Sequence, residues 1–185
     1  ITIIGDRYYT YGNNAAYLRI STTGNLAVKP SNSNKRFADV INWYATYQNN
    51  PSSFIVGLDN GTTTLSNGAG QPVNFPRIWS ALTVNGPIKV YGDQVDILAS
   101  MRSTLSGAQI LAKASHYIYF ESNVGLTSNN GPITIWSNSD NDSVTGGFIA
   151  MNGGNFLNSA NGATPVINAT ATGGGTITLG GGLPS

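Results

Sequence analysis

Few residues in this chain could do chemistry. His116 is the single histidine and cysteine is absent. A Cys/His metal cluster is therefore impossible, and a Ser-His-Asp triad would have to use His116 itself. No Gly-x-Ser-x-Gly elbow presents a nucleophile. His116, beside Tyr117, reads as a surface or turn residue. Asp93 and Asp96 are of more interest, because sugar-cleaving enzymes work with clustered carboxyl groups on one face. Strand alternation between inward Val95 and Ile97 turns Asp96 outward and leaves Asp93 in a turn, with Lys89 and Arg102 as candidate cations. A stacked fold would add acids one repeat further on, yet Ser115, His116, Ile118 and Tyr119 stand there. Solvated turn acids are the better reading, and no catalytic residue is assigned.

Asp140-Asn141-Asp142-Ser143 is half of a calcium loop without its closing acid, and Asn152-Gly153-Gly154-Asn155 lacks the Asp of a calcium-binding nonapeptide. No metal or cofactor is expected. The sequons at Asn60, Asn141 and Asn168 are the chance yield of an Asn-rich chain. The aromatics Tyr8, Tyr9, Tyr11, Trp43, Tyr44 and Tyr47 crowd the N-terminal third. Such rings offer apolar faces with polar edges, as sugar binding requires; the same rings could equally cover a core. Trp43, Tyr44 and Tyr47 are the candidate ligand-binding residues, for a glycan or a partner.

The elements that must position these residues repeat. Gly86-Pro87-Ile88-Lys89-Val90-Tyr91-Gly92 returns as Gly131-Pro132-Ile133-Thr134-Ile135-Trp136-Ser137, with the prolines 45 positions apart. Ile110-Leu111-Ala112 lies 22 residues after Ile88 and 23 before Ile133, and the spacing predicts further copies at Asn155-Phe156-Leu157 and Ile177-Thr178-Leu179. A second series, Val95-Asp96-Ile97 and Ile118-Tyr119-Phe120, shares the period at 23. Repeats of roughly 20 to 50 residues mean a solenoid, propeller or array. Two series on one period predict an all-β parallel β-helix with about 22-residue rungs, roughly eight of them, in a rod about 40 Å long. Residues 1–183 form one segment and 184–185 a tail. The aromatic stretch 31–53 is a lateral insertion: Phe37, Val40, Ile41 and Tyr44 fall at helical spacing, while the aromatic and β-branched content fits strands equally well.

Composition agrees with a coil of turns. Only 9% of residues are charged and Gly reaches 23 of 185, with Asn, Ser and Thr wetting the surface. A net charge of +1 points to neither nucleic acid nor anionic lipid. No apolar run is long enough for a transmembrane helix. The chain opens at Ile1 in mid-strand style, which predicts a piece of something longer.

Gly86-Pro87-Ile88-Lys89-Val90-Tyr91-Gly92-Asp93, Ile110-Leu111-Ala112-Lys113-Ala114-Ser115, Asn130-Gly131-Pro132-Ile133-Thr134-Ile135-Trp136-Ser137 and Gly174-Gly175-Thr176-Ile177-Thr178-Leu179-Gly180 occur in this order. The ordered set resembles the repeats of large bacterial surface proteins of the filamentous-haemagglutinin type, over about 54–183 and more weakly over 17–30. The resemblance implies a right-handed parallel β-helix as the shaft of an exported adhesin, extracellular or at the bacterial cell surface and without a catalytic centre. Its partners would be neighbouring β-helix segments and a cell-surface glycan or protein receptor. The resemblance also tilts 31–53 towards strands. The alternatives are a polysaccharide-active β-helix enzyme and a glycan-binding or tail-spike-like module.

Overall fold

The computed structural model describes residues 1–5, 18–31, 37, 40–59, 74–137, 139, 148–159 and 177–181. Within them the chain is all-β, and every strand pairing is parallel. The readings placed on the 184–185 tail, the Asp140–Ser143 turn and the three sequons lie outside the described residues.

A spine carries the largest sheet. It runs through β1 (Thr2–Ile4), β3 (Asn25–Lys29), β6 (Ser53–Val56), β9 (Ile88–Ile97), β11 (Ile110–Phe120), β13 (Ile133–Ser137) and β16 (Ile177–Gly181). Leu26, Phe54, Ile88, Ile110 and Ile133 stack in register, as do Val28, Val56, Val90, Ala112 and Ile135. All ten are buried, because alternation along each strand sends these side chains to one face. β4 (Val40–Trp43) and β7 (Phe75–Ile78) join the second half of β9, and β14 (Phe148–Met151) joins the second half of β11. A four-stranded sheet orders β15 (Phe156–Asn158), β12 (Gly125–Asn129), β10 (Met101–Ser106) and β8 (Leu82–Val84); β2 (Arg19–Ile20) pairs β5 (Thr46–Tyr47) separately. One apolar core draws on all three sheets.

The short repeat has a structural origin. From Ile88 to Ile110 the pairing advances 22 residues, and from Val95 to Ile118 it advances 23. The extra residue is a bulge where Ser115 and His116 pass opposite Asp93. The Gly-Pro copies mark one position in the sheet two passes apart. A Cβ on Gly86 would lie 1.8 Å from the Ser52 carbonyl oxygen, and one on Gly131 would lie 1.9 Å from that of Ala108. Neither glycine needs a positive φ; each is required by the backbone beside it. The carbonyls of Pro87 and Pro132 accept from the amides of Phe54 (3.0 Å) and Ile110 (2.9 Å), so both copies dock alike.

Of the two readings left open for 31–53, the described residues bear out the strands: Ile41, Trp43 and Ala45 are buried at period two, and β4 pairs with β7. Neighbouring backbone was available to pair with, and sheet pairing overrode the helical pattern. That strand also sits within the large sheet and not beside it. Phe156-Leu157 is not the layer between Ile133 and Ile177; it pairs with Gly125-Leu126 in the four-stranded sheet, and β13 meets β16 directly. The spine counts seven strands among the described residues, a stack roughly 30 Å deep.

Candidate functional site

The alternation that buries Trp43 and Ile78 sends their neighbours out onto one wall. In register across the strands, Asn42 lies beside Arg77, Arg77 beside Asp96, and Asp96 beside Tyr119. Asp96 points away from the core as expected, yet it is only 5% exposed. Arg77 Nε donates to one carboxylate oxygen (3.1 Å) and Gln94 Nε2 to the other (3.0 Å). Burial pushes the Asp96 carboxyl above its usual range, opposed by the Gln94 hydrogen bond and the Arg77 charge. Asp93 is buried too, accepting from Ser115 Oγ (3.0 Å) at the bulge. Neither acid is a solvated turn residue; the low-charge wall closes over both.

The second acid of this wall is Glu121, which sequence reasoning passed over. It accepts from Tyr119 Oη (3.1 Å) and from Asn152 Nδ2 (3.1 Å). The Ser122 backbone N–H, with those two partners, pulls its carboxyl below the usual range. The cation of the wall is Arg77, not Arg102, which lies in the four-stranded sheet beside Thr83 and Thr127, nor Lys89, which lies between Ile55 and Leu111. Only register reveals that choice. His116 rests edge-on against Tyr117, with ring centres 5.1 Å apart. Among the described residues no group of three His, Asp or Glu side chains could hold a metal.

The aromatic candidates separate. Trp43 is a core residue, tilted against Phe54 with ring centres 6.1 Å apart, and its indole N–H donates to Tyr47 Oη. Tyr44 lies on the wall, stacked on Trp79 at 5.2 Å and 12°. Trp79 was not singled out from the sequence, yet it is an exposed ring held by several neighbours. Its Nε1–H donates to Asn42 Oδ1 (3.1 Å), and the Arg77 guanidinium sits 4.8 Å from its centre. Tyr8, Tyr9 and Tyr11 lie outside the described residues.

Tyr47 and Trp79 meet at a cleft. Two successive passes, 43–51 and 78–85, run side by side and are tied at both ends. At one end Trp79 N–H donates to Trp43 O (3.0 Å) and Ala45 N–H to Ser80 Oγ (2.8 Å). At the other, Asn85 N–H donates to Pro51 O (2.7 Å). Between the ties five residues, 46–50, face four, 81–84. β5 turns to β2 instead, through Thr46 N–H to Leu18 O and Gln48 N–H to Ile20 O (both 2.9 Å), while Leu82 N–H turns to Ser100 O (3.1 Å). The passes part, and the gap is a cleft of about 520 Å³. Burial pushes the Tyr47 phenol up to about 12, against the lowering effect of the Trp43 hydrogen bond, so it stays neutral at physiological pH.

No family model, curated protein or solved structure matches this chain. No helix of the described residues is long and apolar enough to cross a membrane.

Proposed function

We propose that this chain is a non-enzymatic shaft segment of a large bacterial adhesin, secreted or at the cell surface, that mediates attachment. Its strands wind as a right-handed parallel β-helix, the hand that strand–crossover–strand units adopt almost without exception. The observation that carries the reading is the spine. Five described layers place one aliphatic or aromatic side chain directly over the next from Leu26 to Ile133. A chain whose strands all pair in parallel must travel around before each return, and here the return path is itself made of strands. The ordered Gly-Pro, Lys-Ala-Ser and Trp-Ser motifs support the filamentous-haemagglutinin likeness. Neighbouring β-helical segments would continue the stack, and a surface glycan or receptor would be the attachment partner.

Beads coated with the purified chain test this reading. Retention on bacterial or host cell surfaces, with no release of reducing ends from plant, algal or bacterial polysaccharides, is the expected outcome. Release of reducing ends or unsaturated uronides would replace it with the polysaccharide-active alternative. Small-angle scattering from a globule instead of a short rod would remove the β-helical part.

A further inference from the structure

We propose that the cleft between 46–50 and 81–84 is a binding site for an uncharged pyranoside. This deepens the attachment role but does not depend on filament formation.

The lining decides the ligand class. Tyr47 and Trp79 supply ring surface, Thr46, Ser80 and Thr83 supply hydroxyls, and Asn50 supplies an amide. Nothing in this set is charged, because the only titratable lining group is the Tyr47 phenol and burial keeps it protonated. An anionic or cationic ligand would lose its hydration there without gaining a counter-charge. A sugar ring presents apolar C–H faces and a rim of hydroxyls that both donate and accept, which this lining matches. The backbone adds to it. Residues 46 and 48 bond back to the β2 pass, and Leu82 bonds to the Ser100 carbonyl just before β10. By strand alternation the amides of Tyr47 and Thr83 therefore turn towards the gap.

The shape decides against an extended chain. A bound peptide strand needs an open edge to run along. Here the gap closes at Ala45–Ser80 on one side and at Pro51–Asn85 on the other. The opening between these ties spans at most the six Cα steps from Ala45 to Pro51, roughly 20 Å. A compact ligand fits such an eye, and a volume of about 520 Å³ lies within the range of small-molecule sites. The site is also held ready. Trp43 fixes the Tyr47 hydroxyl from the core, while Tyr44, Arg77 and Asn42 fix the Trp79 ring from the wall. Few rotamers remain to be ordered on binding.

The test is a ¹⁵N-correlation NMR titration of the whole chain with methyl β-glucopyranoside, methyl β-galactopyranoside and methyl α-mannopyranoside. Methyl β-glucuronide and an extended Ser/Thr-rich hexapeptide serve as competing probes. Saturable shifts clustered on 45–50 and 79–83 with at least one neutral glycoside, at least tenfold weaker with the glucuronide, are expected. Trp79→Ala, at a 36% exposed site, should weaken binding at least tenfold. Ala81→Trp, which fills the cleft from its exposed rim, should abolish it, and both should keep the parent's thermal midpoint within a few degrees. No shift with any neutral glycoside, equal binding of the glucuronide, preference for the peptide, or unchanged binding by Ala81→Trp would each overturn the assignment. Bead retention that survives Ala81→Trp would leave the adhesive reading standing and this site refuted.

Discussion

Two residues show how closely the wall and core are coupled. Tyr47 is the acceptor for the buried Trp43 indole. Tyr47→Phe would leave that N–H without its partner, and a loss of about 1–3 kcal/mol is expected from urea unfolding. A spectroscopic titration should find that the variant has lost one phenol that ionises at about 12 in the parent. Asp96 gives the opposite pH signature to an ordinary ion-paired acid. Its folded pKa is raised, so between the usual carboxyl range and the raised value the folded state holds more protons than the unfolded one. Stability in that interval therefore falls as pH rises. Asp96→Asn should remove this fall, so that the variant gains on the parent as pH climbs from about 3 towards 7 in urea titrations. A constant difference across that range would refute the burial argument.

At the scale of elements, the Gly-Pro copies carry the sharpest expectation. Gly131→Ala forces a methyl into the Ala108 carbonyl, 1.9 Å away, and should cost roughly 2–5 kcal/mol by chemical denaturation. Gly86→Ala should behave the same way, since Ser52 stands where Ala108 does. This spine was legible in the sequence because identical positions repeat at nearly constant spacing. The strands of 40–47 were not, because Phe37, Val40, Ile41 and Tyr44 satisfy a helical period by coincidence while Ile41, Trp43 and Ala45 satisfy the strand period. The misplacement of Phe156-Leu157 has a similar cause. Arithmetic on one series cannot tell which sheet a short apolar pair joins when the connections lengthen to 31 or 44 residues. Of the candidate ligand residues, Tyr47 lines the cleft, while Tyr44 supports its rim and Trp43 supports its floor. Trp79, Arg77 and Glu121 escaped notice because only register brings them beside the others.

For the molecule as a whole, the stack makes each pass depend on its two neighbours. β9 and β11 pair over nine positions and are flanked on both sides, so they form the most supported pair. Amide exchange should be slowest there and should quicken outwards to β1, whose Ile1 and Ile4 flanks are 53% and 66% exposed. Uniform protection from β1 to β13 would instead indicate a single cooperative block.

Like the bulge at Ser115–His116, the steps between spine strands differ in length while the pairing positions stay aligned, from the 22-residue step at Ile88 to the 44-residue step at Ile133. Chain length and pairing register are thus separate variables, like floors of equal height joined by staircases of any length. A graft belongs on a staircase. A Gly-Ser pair inserted after Gly107, where an added side chain would meet nothing within 4 Å, should cost under about 1 kcal/mol, whereas one residue inserted beside Val90 would turn every later side chain of β9 to the wrong face.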